Sequence, residues 1–439
     1  MIKDISTAIC NSHLVSELNV TYSFFHVLRS FSFFYFCVTS GFSMSDLRHP
    51  IYNIQFGLLC MSSFLFSASF NMLIPELPAY LESLGGAEFK GYIIALFTLT
   101  AGISRPFSGK LTDKIGRVPV MAVGSLVCVV CGLLYPLLTT ISGFLWLRFF
   151  HGFSTGFKPT ATAAYVADIV PGNRWGEAMG IHGLCFSTGL AIGPAIGSEL
   201  SERFSIDALF YCSSLFALMS IAILMNMKET LMQKERFTLS LLKINRNEII
   251  ERRVLGGALI TFLSYLSYGA ILTVISAWGS HLGVANKGLF YMVFTVSSLL
   301  IRFASGRLSD RIGRISIIKF SLLLLVVALL FIGSASSPLH LMLAAALYGV
   351  ATGMLSPALT AFIIDLSHPD HRGKAVATMY IALEAGIGLG AVLAGALYVN
   401  DIQMIPTTFY IIAVFTLIAY LYLKLIFKRK TLISESSNP

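Results

Sequence analysis

Twelve long apolar blocks dominate the sequence and set the first constraint on its fold. A helix needs about 20 mainly apolar residues to cross the hydrocarbon core of a bilayer. Only 12% of the residues are charged, against about 25% in an average soluble domain. Since backbone groups in lipid must be hydrogen-bonded internally, such blocks must be helical. The sequence therefore predicts an all-α membrane protein with twelve transmembrane helices, at about 55–78, 89–108, 119–138, 142–167, 178–198, 208–227, 254–277, 288–305, 315–335, 339–366, 375–398 and 406–427.

One 13-residue sequence occurs twice, as RPFSGKLTDKIGR at 105–117 and RFASGRLSDRIGR at 302–314. Eight of its positions are identical, and the offset is 197 residues. The same offset relates further pairs along the chain: Gly152/Gly349, Gly156/Gly353, Asp168/Asp365, Gly189/Gly386 and Gly193/Gly390. We interpret this as a tandem duplication of a six-span unit with both copies in one orientation. Parallel repeats of this kind are typical of transporters that bind their substrate between the halves.

The duplication predicts how the chain is divided. We expect a six-helix bundle at 51–227, a linker at 228–253, a second bundle at 254–427 and a tail at 428–439. Residues 1–50 form an N-terminal extension, and we expect the natural start to be Met44. The alternative is an extra membrane helix over the apolar residues 20–41.

The distribution of lysine and arginine predicts the orientation in the membrane. Loops on the side of the repeated sequence, the motif face, carry 20 of these residues, and loops on the opposite face carry three. Positive loops stay in the cytoplasm. We therefore expect a multi-pass protein of the plasma or inner membrane, with both termini cytoplasmic. The net charge of +9 is then explained by topology, and no nucleic-acid partner is indicated.

The twelve spans and the repeated G-x-L-x-D-x-x-G-R pattern resemble the major facilitator superfamily over roughly 52–428. The resemblance implies two pseudo-symmetric six-helix bundles and one central substrate site, in a protein that functions as a monomer.

The resemblance also makes the repeated motif a conformational latch. Glycine suits a tight reversal between helices, and an aspartate is favoured at a helix N-terminus. Plain positive-inside anchoring is the alternative. The latch residues are Gly109, Asp113, Gly116 and Arg117, and again Gly306, Asp310, Gly313 and Arg314. Arg105 and Arg302 close their spans and are assigned to the motif, not to a cavity.

Three basic residues lie in the fourth span. R-x-x-H-G at Arg148 and His151 resembles the superfamily pattern there, with His151 where Gln is common. A cation inside a span is costly and usually faces a cavity or a partner, which makes Arg148, His151 and Lys158 candidates for substrate or proton binding. Arg148 can instead extend to the opposite face, Lys158 to the motif face, and His151 can be a packing residue.

The fifth span carries a glycine pattern that resembles the superfamily's antiporter motif. Small residues let helices approach closely, and proline bends a helix. The resemblance favours export by antiport. The motif residues are Gly180, Gly189, Gly193, Pro194 and Gly197, with Ser198 in place of the last glycine. Ordinary glycine packing in a helical bundle is the alternative.

Two carboxylates lie within the spans, Glu384 in the eleventh and Glu76 near the end of the first. A carboxylate in a low-dielectric setting can take up and release a proton as the cavity opens to water. We predict that Glu384 carries the proton; a permanent pair with a cation such as Arg148 or Lys158 is the alternative. Glu76 is the second candidate and would select cationic substrates if it faced the cavity, but it can also be merely interfacial.

These features together predict a proton-coupled antiporter that exports a small organic molecule, drug-like or a metabolite. The energy source is the proton gradient, and no cofactor or metal is expected. An importer or facilitator of a sugar or other metabolite is the alternative. A membrane enzyme or a transport-dead sensor is the rival class, but we find no HExxH pattern and no added soluble domain in the sequence.

Overall fold

The computed structural model describes residues 53–170, 175–238, 241, 243, 250–367, 372–399 and 401–436. Within these ranges, only the backbone is described at 175–177, 303–312, 372–373 and 426–436. The predicted extension, with Met44, lies outside these residues. In the described part, long helices alternate with short connections and no strand occurs. The helices are α1 (Ile54–Asn71), α2 (Leu77–Ser83), α3 (Lys90–Lys114), α4 (Arg117–Leu134), α5 (Ile141–His151), α6 (Phe153–Ile169), α7 (Trp175–Arg203), α8 (Ile206–Met225), α9 (Leu255–His281), α10 (Leu289–Ile312), α11 (Arg314–Gly333), α12 (Pro338–Leu366), α13 (Arg372–Tyr398) and α14 (Met404–Ser436).

Every predicted span coincides with a helix or a pair of helices. In the described part of the chain, nine helices are long and apolar enough to cross a membrane. The spans predicted at 89–108, 142–167 and 288–305 fall outside that group. The first holds polar and charged residues in α3, and the second is divided between α5 and α6 at Gly152. In the third, the described side chains of α10 end at Arg302, so that only the apolar segment Leu289–Arg302 is described in full.

Helix packing follows the sequence duplication. Helix α1 packs on α7 as α9 packs on α13, and α3 packs on α6 as α10 packs on α12. An added Cβ at Gly152 would overlap the carbonyl oxygen of Phe97, and one at Gly349 would overlap that of Phe294. The two residues of the second contact thus lie 197 residues after the corresponding residues of the first. Small residues allow such close backbone approach in membrane bundles.

The two halves meet along two pairs of helices, α3 with α13 and α7 with α10. These pairs are equivalent under the duplication, because α10 is the counterpart of α3 and α13 that of α7. The chain therefore has the all-α architecture of two pseudo-symmetric six-helix bundles.

The repeated motif is more helical than the sequence suggested. Helix α3 continues to Lys114 and α4 begins at Arg117, so the reversal occupies only two residues. Asp113 therefore lies in the last turn of α3, and its predicted place at a helix N-terminus is wrong. The reversal needs glycine, as predicted, since φ is 137° at Gly116 and 87° at Gly313. Positive φ is strained for residues with a side chain.

Candidate functional site

An ion pair joins the two bundles through the predicted proton carrier. Arg105 Nη2 of α3 donates to Glu384 Oε1 of α13 at 2.7 Å. The side chains are only 16% and 10% exposed. Glu384 lies near the middle of α13, so the pair sits well inside the span. Sequence reasoning assigned Arg105 to the motif alone and missed this contact, because helix contacts 279 residues apart leave no local signal.

The surroundings of this pair are polar on the side of the second bundle. The Arg105 guanidinium lies over the ring of Tyr380, 4.6 Å from its centroid. A small cavity next to Tyr380 is lined by hydroxyl-bearing and apolar side chains. Nε of Arg105 is buried without a hydrogen-bond partner among the described residues. The pair therefore borders a space with hydrogen-bonding capacity. The lining residues are Thr261, Tyr265, Ser356, Leu359, Thr360, Met379, Tyr380 and Leu383.

A second ion pair joins the bundles close to the opposite face. Lys287 Nζ, just before α10, donates to Glu76 Oε2 at 2.7 Å, and Ser198 Oγ of α7 donates to Glu76 Oε1 at 2.9 Å. The serine that replaces the last glycine of the antiporter motif thus holds Glu76. Glu76 is 6% exposed and both of its oxygens are occupied.

Arg148 is buried inside the first bundle and does not extend to the membrane surface. Its Nε donates to the carbonyl oxygen of Ile93 at 3.1 Å, and Nη1 donates to the hydroxyl of Tyr135 at 3.3 Å. The guanidinium lies 4.6 Å from the centroid of the Phe97 ring. His151 contacts the same tyrosine, with Nδ1 3.1 Å from its hydroxyl.

Lys158 lies in a ring of oxygen atoms from three other helices. Nζ is 2.9 Å from Ser62 Oγ of α1, 3.1 Å from the Ser62 carbonyl and 3.0 Å from Ser125 Oγ of α4. It also contacts Ser220 Oγ of α8. Lys158 is 1% exposed, so this cation does not reach the motif face.

The structure therefore separates the predicted candidates. Glu384 pairs with Arg105, and in the described residues neither Arg148 nor Lys158 forms an ion pair. The predicted alternative partners of Glu384 are wrong, because both cations point into the first bundle.

The reversal after α3 is held by a residue of the linker. Oε1 and Oε2 of Glu229 accept the backbone N–H groups of Arg117 and Val118, each at 3.0 Å. A Cβ at Gly116 would come within 2.5 Å of Glu229 Oε2. Arg117 Nε donates to Asp168 at 3.0 Å, and its Nη1 lies 3.4 Å from Asp113. Glu229, and not Asp113, thus caps the positive end of the α4 dipole.

The same ion pair recurs in the second half, where Arg314 pairs with Asp365. Gly306 and Asp310, the other latch residues predicted before Gly313 in this half, lie in the segment 303–312, whose side chains are outside the described part of the structure.

We expect Glu229→Ala to destabilise the protein by about 1–2 kcal/mol, since it removes a carboxylate cap with two backbone hydrogen bonds. The measurement is thermal unfolding of detergent-purified protein. Glu235→Ala is the matched control, because Glu235 pairs with Lys114 at an exposed position. Equal melting temperatures for the two variants would contradict the capping role.

Glycines of the antiporter motif pack within one bundle. Added Cβ atoms at Gly189, Gly193 and Gly197 would overlap the backbone of α1. The contact between bundles comes from Pro194, whose backbone lies against Gly288 at the start of α10. The predicted close contact therefore exists, but its glycine part serves the internal packing of the first bundle.

The close contacts between bundles are concentrated toward the opposite face. Gly91 of α3 packs against Ala391 and Gly395 of α13 there. By contrast, Gly109 and Gly180, near the motif face, have no other atom of the described residues within 4 Å of an added Cβ. In this conformation the bundles are in close contact on the opposite face.

Comparison with known proteins agrees with this architecture. The sequence model of the Major Facilitator Superfamily matches residues 59–246 and 257–438. The chain belongs to this superfamily, and the proteins similar to it include some named as multidrug resistance proteins. It is a multi-pass membrane transporter.

Two curated relatives are multidrug proteins. Multidrug resistance protein 2 of Bacillus subtilis is 28% identical over 390 residues, covering 85% of this chain and 95% of the relative. Multi-drug resistance efflux pump PmrA of Streptococcus pneumoniae is 28% identical over 318 residues, covering 70% of this chain and 79% of the relative.

Solved structures show the same fold at low identity. The human organic anion transporter MFSD10 (TETRAN) has a TM-score of 0.65 and 19% identity, and the alignment covers 84% of this chain and 98% of MFSD10. A POT family transporter in complex with 5-aminolevulinic acid has a TM-score of 0.71 and 12% identity, with 85% and 96% coverage.

Proposed function

We propose that this protein is a proton-coupled antiporter that exports a small organic molecule by alternating access. The observation that carries the proposal is the buried ion pair between Arg105 and Glu384, which joins the two bundles. It places a titratable carboxylate where its charge contributes to the contact between the halves. The protein would act as a monomer in the plasma membrane, with its termini and the motif face in the cytoplasm.

Protonation of Glu384 is the coupling step. The ionised carboxylate accepts a charge-assisted hydrogen bond from Arg105, and such bonds are about twice as strong as neutral ones. A proton on Glu384 removes the charge and weakens the contact of α3 with α13. The proton therefore biases the equilibrium between two arrangements of the bundles, as a ligand does when it binds one state better.

The other arrangement would close the motif face. Here the Glu76–Lys287 pair and the Pro194–Gly288 contact hold the opposite face together. With the motif face cytoplasmic, this is an inward-facing conformation. Gly109 and Gly180, which have free space beside them, would pack against the other bundle when the cytoplasmic side closes. The latch pairs Arg117–Asp168 and Arg314–Asp365 would orient the helix ends for that contact.

The direction of transport is supported by the relatives and by the glycine motif of α7. A multidrug resistance protein and an efflux pump are among the similar proteins. Energy would come from the proton gradient without a cofactor.

The test is transport in everted membrane vesicles from a strain that lacks its own exporters. With a substrate from a screen in that strain, energising the vesicles is expected to cause accumulation that a protonophore abolishes. Loss of preloaded substrate on energising would instead indicate an importer. No movement of any compound that the protein binds would indicate a sensor or an enzyme.

A further inference from the structure

We propose that the transported molecule is an amphiphilic anion, with an aromatic or aliphatic body and one carboxylate or sulfonate group. The inference names the substrate class of the transporter proposed above. It depends on the presence of a central site but not on proton coupling. The evidence is the charge balance inside the spans and the way in which each charge is partnered.

Positive charges exceed negative ones between the two membrane faces. Arg105 and Arg148 carry permanent charges inside the described spans, where Lys158 is also buried. Glu384 is the one carboxylate that the described structure places at this depth. Glu76 does not alter this balance, because it lies near the opposite face with its own cation, Lys287.

Arg148 retains its full charge in this setting. The guanidinium of arginine is not deprotonated in proteins, and none of the described partners of Arg148 is negatively charged. They are a carbonyl, a tyrosine hydroxyl, Nδ1 of His151 at 3.5 Å and the face of Phe97. These contacts satisfy N–H groups but supply no negative charge.

Lys158 is surrounded in a similar way. Its neighbours are serine hydroxyls, one backbone carbonyl and the face of Phe66, 4.7 Å from the ring centroid. The described partners of the Lys158 amine are thus all neutral as well. The first bundle therefore holds at least one permanent cation, Arg148, without a counter-ion in the described structure.

Uncompensated charge in a low-dielectric interior acts over long distances. At an effective dielectric constant of about 20, a charge 10 Å away changes the affinity for an anion by roughly tenfold. An anion between the bundles would be stabilised by Arg148, and a cation would be repelled. Aromatic rings of the first bundle provide apolar contact for the body of the molecule. Phe97, which carries Arg148 on its face, stacks with Phe70, and Phe70 in turn contacts Phe186.

The sequence had suggested cationic substrates through Glu76. The structure removes the basis of that suggestion, because Lys287 and Ser198 occupy both oxygens of Glu76.

The experiment is a binding titration with three matched probes: naphthalene-2-sulfonate, 2-naphthol and naphthalen-2-ylmethylammonium. Calorimetry uses the full chain in nanodiscs at pH 7 without a gradient, and empty nanodiscs correct for partition into lipid. We expect the sulfonate to bind about tenfold more tightly than the alcohol, and the ammonium probe to bind more weakly than the alcohol. Equal or tighter binding of the ammonium probe would overturn the inference.

Variants assign the effect to the interior cations. Arg148→Met should reduce sulfonate affinity about tenfold and leave the alcohol unchanged. Arg203→Gln is the matched control, since it removes one charge at the exposed end of α7, where Arg203 pairs with Glu199. Should Arg148→Met not fold, Arg148→Gln provides the same test, because it removes the charge and keeps a hydrogen-bond donor for the carbonyl of Ile93. A loss of sulfonate affinity in Arg203→Gln as large as in Arg148→Met would also overturn the inference, because the preference would then reflect net charge alone.

The outcome is independent of the antiport proposal. A sulfonate preference together with transport that ignores the proton gradient would refute proton coupling and leave the substrate class standing. Gradient-driven export with a preference for the ammonium probe would support proton coupling and refute the substrate class.

Discussion

Glu384→Gln is expected to abolish uphill transport, so that the steady-state ratio of substrate across energised vesicles falls to about one. A proton that binds no group with different affinity in the two states cannot shift their equilibrium. Glutamine keeps the shape of the side chain and an acceptor for Arg105, but it cannot ionise. Exchange of substrate down its own gradient should continue, because that process needs only the conformational change.

The measurement compares pH-driven accumulation with counterflow exchange in the same vesicles. Glu82→Gln is the control, since Glu82 also pairs with a cation, Lys90, but at an exposed position near the opposite face. Unchanged pH-driven accumulation in Glu384→Gln would refute the assignment of the proton to Glu384. A loss of exchange as well would show that the pair is needed for the conformational change itself.

Gly152→Val is expected to prevent stable folding. Its side chain would overlap the carbonyl oxygen of Phe97, a backbone atom of α3 that cannot rotate away. Overpacking of a core costs about 1–3 kcal/mol, and more when backbone must shift. Gly349→Val should behave in the same way, because it meets Phe294 in the equivalent contact of the second bundle.

Recovery of monodisperse protein after detergent extraction, followed by thermal unfolding, tests this expectation. Gly180→Ala is the matched control: in the part of the chain that the structure describes, no atom lies within 4 Å of the added Cβ, so stability should not change. The same control probes the other conformation. If Gly180 packs against the second bundle when the motif face closes, Gly180→Ala should slow transport without lowering the melting temperature. A Gly152→Val protein as stable as the wild type would show that α3 and α6 are not packed as described.

Local features of the sequence were sufficient to predict the class of fold. The length of the apolar blocks predicted the helices, and the 197-residue repeat predicted that contacts in one half would recur in the other. The paired contacts Gly152–Phe97 and Gly349–Phe294 are such a recurrence. Glycines at 116 and 313 were expected to allow a sharp reversal, and both have positive φ.

The partners of the charged residues were not predictable in the same way. The sequence identified Glu384, Glu76, Arg148 and Lys158 as unusual, because ionisable groups are costly in lipid. As an alternative to a proton carrier it offered Glu384 the cations Arg148 and Lys158, whereas the structure pairs Glu384 with Arg105, which had been assigned to the motif. It also placed Asp113 at a helix N-terminus that Glu229 occupies in the structure.

The sequence by itself determined the class of fold, the duplication and the set of residues whose burial needs an explanation, because segment length, hydropathy and spacing are local properties of the chain. Only the tertiary structure decided which charge neutralises which. Arg105 and Glu384 are 279 residues apart and meet because α3 packs against α13. Arg148 and Lys158 are turned into the first bundle by the helices around them. Pairing in a low-dielectric interior depends on distances of a few ångströms, and such distances are set by helix packing, not by position in the sequence.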